Sequence, residues 1–252
     1  MEIIQSLKNP KIQKWRSLSQ RKAREETGCF LVEGKRAVTD ALQSGYTMEA
    51  LILESTQSLP ETFDCSGPAY QVPSHVMEAL CDTKTPQGIC AVMHKKTQTV
   101  SGHHLVVLDA LQDPGNVGTI IRTADAAGLD GVILSSRCPD IYAPKVLRAT
   151  MGSIFHIPCE TADSLETRLQ ALSEKGYALL STELDGQPFF SYVSRAPKDW
   201  CLIIGNEGHG VSESVRRLAS CHLKLPMRGQ AESLNASVAA GIMMYVLMEH
   251  AG

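Results

Sequence analysis

From residue 104 onward, short apolar runs recur between helical patterns, and this alternation limits the chain to a parallel sheet with helices on both faces. The runs are LVVLD (105–109), GVILS (131–135), IFHIPC (154–159), YALLST (177–182), CLIIG (201–205) and LKLPM (223–227). Each is nearly continuous in apolar residues, whereas a strand with one wet face alternates. A long helical pattern from about 233 to 250 ends the series. Ligands of such sheets bind outside the carboxyl ends of the strands. The loops at 110–118, 205–212 and 226–235 are therefore the candidate site.

A polar, unpatterned stretch, KKTQTVSGH (95–103), precedes this series. Before it the pattern predicts a helix around 8–24, the strand CFLVEG, a helix at 35–44, and the strands EALILE and AYQVP. A short helix at 74–80 and the strand GICAVM follow. The expected organisation is a small α/β domain over 1–95, a linker over 96–103 and a second α/β domain over 104–252. The net charge of −3 excludes a uniformly basic nucleic-acid binder, yet residues 1–36 hold nine Lys/Arg against four Glu. That local excess suits a phosphate-binding surface or a solvated helix face. The N-terminal residues lack a basic-then-apolar leader, and no apolar run reaches the roughly 18 residues of a membrane span, so a cytoplasmic location is expected. Eight cysteines without a CxxC pair read as reduced thiols, and neither a disulfide framework nor a metal site is expected.

In the first loop Pro114 and Gly115 read as a turn and Asn116 as the N-cap of the next helix. Val117, Ile120, Ile121, Ala124 and Ala127 form the buried stripe of that helix. Arg122 then lies on another face, with Gly118, Thr119 and Asp125. It is either a ligand-facing guanidinium or a surface cation paired with Asp125. The GxGxxG spacing of a dinucleotide site is missing, as is the acidic residue at the expected strand end after a first βα unit, so a dehydrogenase reading is disfavoured. The second loop, IIGNEGHG (203–210), has three glycines within six residues, which permit close backbone approach to a ligand. Glu207 in that loop suits a hydroxyl, a cation or a helix N-terminus rather than a phosphate. In the third loop Ser233 or Asn235 caps the last helix. The first half of this helix is small (Ala236, Ala239, Ala240, Gly241), and Val238, Ile242, Met243, Val246 and Leu247 make its apolar stripe.

Taken in order, NVGTIIRTADAAG (116–128), IIGNEGHGVS (203–212) and LKLPMRGQAESLNASVAAGIMMYVL (223–247) resemble the three signature motifs of SpoU-type methyltransferases. RATMGSIFHIP (148–158) also matches. These enzymes belong to the knotted SPOUT class. Upstream, SLKNPKIQKWRSLSQRKAREETGCFLVEG and TPQGICAV resemble the substrate-binding domain of ribosomal-RNA members, which has an L30e/L7Ae-like fold. The resemblance implies a deep trefoil knot in the C-terminal segment, although knots are rare among folds generally. It also implies S-adenosylmethionine as cofactor and a homodimer formed through the knotted domain.

The implied reaction is methyl transfer to a ribose 2′-hydroxyl in RNA, with large-subunit ribosomal RNA favoured over transfer RNA. The resemblance assigns Arg122, Asn116, Glu207, Ser233 and Asn235 to the reacting centre. It assigns Ile204, Gly205, Leu225, Met227 and Leu234 to the cofactor. Lys8, Lys11, Lys14, Arg21, Lys22 and Arg24 are candidates for RNA phosphates, and Trp15 is either a stacking platform or core. A transfer-RNA methyltransferase and a non-catalytic RNA-binding protein on the same fold are the alternatives.

Overall fold

The computed structural model describes residues 1–57 and 67–250, which form two compact units. In chain order the first unit contains β1 (Glu2–Ile3), α1 (Pro10–Ser17), α2 (Arg21–Thr27), β2 (Cys29–Glu33), α3 (Lys35–Gln43), β3 (Met48–Glu54), β4 (Ala69–Val72), α4 (Ser74–Leu80) and β5 (Ile89–His94). Its sheet runs β1-β4-β3-β5-β2, with β5 antiparallel to both of its neighbours. One face of this sheet buries Leu31, Ile52 and Val92 against Ile12, Trp15 and Leu18, and against Val76, Met77 and Leu80. Trp15 is 3% exposed and meets the Tyr70 ring edge-on, so it is core rather than a stacking platform.

The single helix expected over 8–24 is two. Asn9 caps α1 and Pro10 takes its first position, where a missing N–H costs nothing. Residues 18–20 then break the run before α2. Arg24 closes this break from inside. Only 2% exposed, it donates through Nη1 to the carbonyls of Leu18 (2.7 Å) and Ser19 (2.9 Å). It therefore leaves the set of exposed RNA-facing cations predicted from sequence. Replacing Arg24 with Met should destabilise the unit by about 3 kcal/mol, because two turn carbonyls lose their donor. Urea unfolding monitored at Trp15 measures this, and a loss below about 0.5 kcal/mol would contradict the assignment.

The second unit carries β6 (His104–Leu108), α5 (Pro114–Ala127) and β7 (Gly131–Ser135). Next in the chain is α6 (Pro144–Thr150), within a segment, Tyr142–Phe155, that packs in the first unit. Tyr142 stacks at 4.4 Å on Phe30, and Phe155 meets Tyr46 at 5.2 Å. The linear boundary expected near 96–103 thus has a return excursion. The second unit resumes with β8 (Cys159–Ala162), α7 (Leu165–Glu174), β9 (Ala178–Pro188), α8 (Phe189–Tyr192), β10 (Trp200–Ile204), α9 (Glu213–Arg216), β11 (Cys221–Lys224) and α10 (Ala236–Glu249).

All pairings in its six-stranded sheet, β11-β9-β10-β6-β7-β8, are parallel. Four apolar runs lie on strands to within a residue, LKLPM lies on β11 only through Leu223 and Lys224, and IFHIPC reaches its strand only at Cys159. Left-handed backbone at Met151 (φ 52°) and Gly152 (φ 99°) turns the chain into a short 3-10 helix over Ser153–Phe155 instead. Strand order moves outward from β6 through β7 and β8 on one side, while β10 lies on the other. The loops after β6 and β10 therefore flank a topological switch point, where α/β sheets hold ligands.

The stripe of α5 buries Val117, Ile120, Ile121 and Ala124 as expected, whereas Ala127 is half-buried. That of α10 is rotated: Ala240, Met243, Met244 and Leu247 are buried, but Val238 (50%), Ile242 (37%) and Tyr245 (52%) are exposed. The small residues serve close packing, since a Cβ on Gly241 would lie 3.5 Å from the Thr123 methyl on α5. The described cysteines are free thiols, and Cys65 lies outside the described residues. Among the described residues no helix is long and apolar enough to cross a membrane.

Candidate active site

The chain leaves β6 at Asp109, a fully buried carboxylate. One oxygen accepts the Ser212 N–H at 2.7 Å and the other accepts Arg137 Nη2 at 3.0 Å. Ala110 follows in a left-handed conformation (φ 54°). Its N–H donates to Ser135 Oγ (2.9 Å) and its carbonyl accepts Asn206 Nδ2 (2.7 Å). Asp109 and Asn206 thus sew the loop after β6 to the loop after β10. Neither was among the predicted site residues. The signal for Asp109 was an acid closing an otherwise apolar strand.

Helix α5 begins earlier than the sequence predicts. Its N-cap is Asp113, whose Oδ1 accepts the Asn116 N–H at 2.9 Å, with Pro114 in the first turn. Asn116 is consequently not a cap, and its side chain is free to work across loops. Its Nδ2 donates to Glu207 Oε1 at 2.8 Å, and its Oδ1 accepts Asn235 Nδ2 at 3.0 Å. Asn235, not Ser233, caps α10, accepting the N–H groups of Ser237 and Val238. Glu207 also accepts the N–H groups of Gln112 (3.1 Å) and Asp113 (3.3 Å) beside the start of α5. One relay, Glu207–Asn116–Asn235, therefore joins all three loops.

Partial burial pushes the Glu207 carboxyl upward, but the Asn116 amide and the Gln112 and Asp113 N–H groups outweigh it and hold the pKa below the usual value. The carboxylate is thus the form present at neutral pH.

Two turns along α5, Arg122 is exposed, and among the described residues it has no hydrogen bond or ion pair. The surface pair with Asp125 is not formed; Asp125 faces His156 at 3.4 Å instead. A free guanidinium on the helix that carries the clamped Asn116 can face an anion.

Of the residues expected to hold the cofactor, Ile204 ends β10 buried, and Gly205 makes the closest approach in the region. A Cβ there would fall 2.1 Å from Val211 N and 2.2 Å from Gly210 C. The loop folds back through paired Asn206–Gly210 backbone bonds of 2.9 and 2.8 Å. Leu225 and Met227 are half-buried, Leu234 is 39% exposed and Ser233 is exposed. Among the described residues, no backbone–backbone hydrogen bond engages residues 225–234. Apolar side chains next to unpaired amides and carbonyls fit a purine, which needs both a flat apolar cover and edge hydrogen bonds.

In the first unit Lys11 pairs with Glu2 and Lys14 with Glu49, both at 2.7 Å. Arg21 reaches Glu25 at 2.7 Å, and Lys22 reaches Glu26 at 3.8 Å. Lys8 is exposed. Exposed pairs of this kind are weak and exchange readily for phosphate.

This arrangement defines the class. Residues 103–245 match the SpoU rRNA Methylase family, and the chain belongs to that family. Residues 9–91 match the MRM3-like substrate binding domain. Among relatives, the chain is 36% identical to the 23S rRNA (guanosine(2553)-2′-O)-methyltransferase RlmP of Bacillus subtilis, over 98% of this chain and 99% of that protein. The AdoMet-bound rRNA methyltransferase of Sinorhizobium meliloti superposes with a TM-score of 0.88 at 32% identity, covering 99% of this chain and 98% of that one. The SpoU methyltransferase AviRb of Streptomyces viridochromogenes, in complex with AdoMet, gives a TM-score of 0.86 at 28% identity over 96% and 98%.

Proposed function

We propose that this chain transfers the methyl group of S-adenosylmethionine to a ribose 2′-hydroxyl of large-subunit ribosomal RNA. The observation that carries this reading is the Glu207–Asn116–Asn235 relay across the three motif loops, on the same helix as the unpaired Arg122. RlmP, similar over the whole length, supports the choice of substrate. S-adenosylmethionine, when bound, supplies an activated methyl on a sulfonium. The residues of the chain align and activate a poor oxygen nucleophile.

Arg122 donates to the alkoxide that develops on the 2′-oxygen and grips a neighbouring phosphate with the other edge of its fork. A guanidinium carries only donors and offers no lone pair as a base, so Arg122 acts through hydrogen bonding and charge. Asn116 has both ends of its amide engaged, so it positions α5 rather than binding ribose directly. Glu207 holds that amide, Asn235 completes the clamp, and Ser233 lies free to meet substrate. Ile204, Gly205, Leu225, Met227 and Leu234 form the adenosyl site, and the trefoil knot belongs to the same reading. Lys8, Lys11, Lys14, Arg21 and Lys22 contribute phosphate affinity.

The enzyme works in the cytoplasm as a homodimer. Leu234, Val238, Ile242 and Tyr245 supply an apolar strip that a second copy covers. Methyl-labelled S-adenosylmethionine incubated with unmodified 23S rRNA, 16S rRNA and transfer RNA tests the reading. Label enters 23S rRNA at least about tenfold faster than the others. Label in transfer RNA alone would overturn the substrate, and saturable cofactor binding without label in any RNA would overturn the reaction.

A further inference from the structure

Three strands of the first unit bring together a thiol, a carboxylate and an imidazole that the reaction does not use. Cys29 opens β2 and His94 ends β5, and the antiparallel register sets them directly opposite, hence on one face. Glu49 lies on β3, where the register with β5 slips between Met48 and Ala50. Met48 pairs with Met93 while Ala50 pairs with Val92, so Glu49 is the extra residue of a bulge. Bulges re-aim a side chain and recur beside functional sites. Here the carboxylate reaches the same face as Cys29 and His94.

The Cys29 Sγ lies 3.1 Å from Glu49 Oε2 and 3.4 Å from His94 Nδ1, and the three ligand atoms fall within 4.8 Å of one another. A tetrahedral zinc ion with its usual bond lengths holds sulfur and nitrogen, or sulfur and oxygen, about 3.5 Å apart. Lys14 occupies only the other carboxylate oxygen, Oε1, at 2.7 Å, which fixes Glu49 and leaves Oε2 toward the cluster. Cys29 is 1% exposed and His94 is exposed, so one side is walled and the other open to solvent.

We propose that Cys29, Glu49 and His94 form a binding site for a divalent transition metal of the zinc type, with water in the fourth position. Thiolate, imidazole and carboxylate together select zinc-like ions over magnesium or calcium, which take oxygen ligands. On binding, the sulfur–metal bond forms as the thiol proton leaves to solvent, and no electron moves. Sequence spacing hid the site because its ligands are 20 and 45 residues apart, on separate strands.

Titration of the full chain with cobalt(II) chloride tests this. One equivalent produces a sulfur-to-cobalt charge-transfer band in the near ultraviolet, and one equivalent of zinc chloride bleaches it. Cys29→Ser abolishes the band. His94→Gln, at an exposed position that folding tolerates, lowers cobalt affinity at least about tenfold. No band at stoichiometric metal would overturn the proposal. So would a band that persists in C29S, or one that H94Q leaves unchanged, since another thiol would then be the ligand.

Discussion

Arg122→Ala binds S-adenosylmethionine as the parent does and transfers methyl about 10²–10³-fold more slowly, the loss associated with removing one donor from a developing oxyanion. The expectation rests on where the structure leaves this side chain. α5 buries Val117, Ile120, Ile121 and Ala124, and Arg122 contributes nothing to that interface. Among the described residues it makes no pair, so truncation strands no partner and the fold should tolerate it. Arg122→Lys keeps the charge but loses the planar fork, and should fall short of the parent by at least about tenfold. Single-turnover rates with saturating cofactor separate chemistry from binding. A lysine variant at the parental rate would show that charge alone suffices, and an alanine variant at that rate would remove Arg122 from the reacting centre.

Gly205→Ala is expected to weaken cofactor binding at least about tenfold and to destabilise the second unit by about 1–3 kcal/mol, as overpacking does. The added methyl meets backbone, 2.1 Å from Val211 N and 2.2 Å from Gly210 C, so no rotamer relieves it. The loop must open instead, and the Asn206–Gly210 pairing opens with it. Asn206 also holds the Ala110 carbonyl, so the disturbance spreads to the corner after β6. Calorimetric titration with S-adenosylmethionine and a thermal melt measure the two effects. Unchanged affinity would mean that this loop does not shape the cofactor site.

The parallel sheet was legible because strands buried on both faces write themselves as unbroken apolar runs, and GVILS coincides with β7 residue for residue. The same reading placed IFHIPC on a strand because apolar content cannot register the left-handed turn at Met151 and Gly152. DPGN resembles a turn, which makes Asn116 look like the cap. Pro114 instead favours the first helical turn, and Asp113 has the shorter route to the free N–H groups. That one shift changes the role of Asn116 from local to long-range. The stripe on α10 was misplaced because the helix is apolar nearly all round, and periodicity then fails to choose a face. Arg24 was invisible as a core residue because charge alone does not reveal that its guanidinium turns inward to two carbonyls. Each loop of the site was legible as unusual. Their convergence rests on hydrogen bonds between residues more than 90 positions apart, which no local pattern encodes.

Alkaline cleavage of methylated RNA distinguishes transfer to a ribose 2′-oxygen from transfer to a base. A methyl on that oxygen removes the nucleophile that cuts the adjacent phosphodiester bond. After reaction of the parent enzyme with S-adenosylmethionine and unmodified 23S rRNA, one bond becomes resistant to alkali. Resistance at a single bond, absent with Arg122→Ala, is the predicted result. Incorporated label with every bond still cleaved would place the methyl on a base and rule out transfer to the ribose.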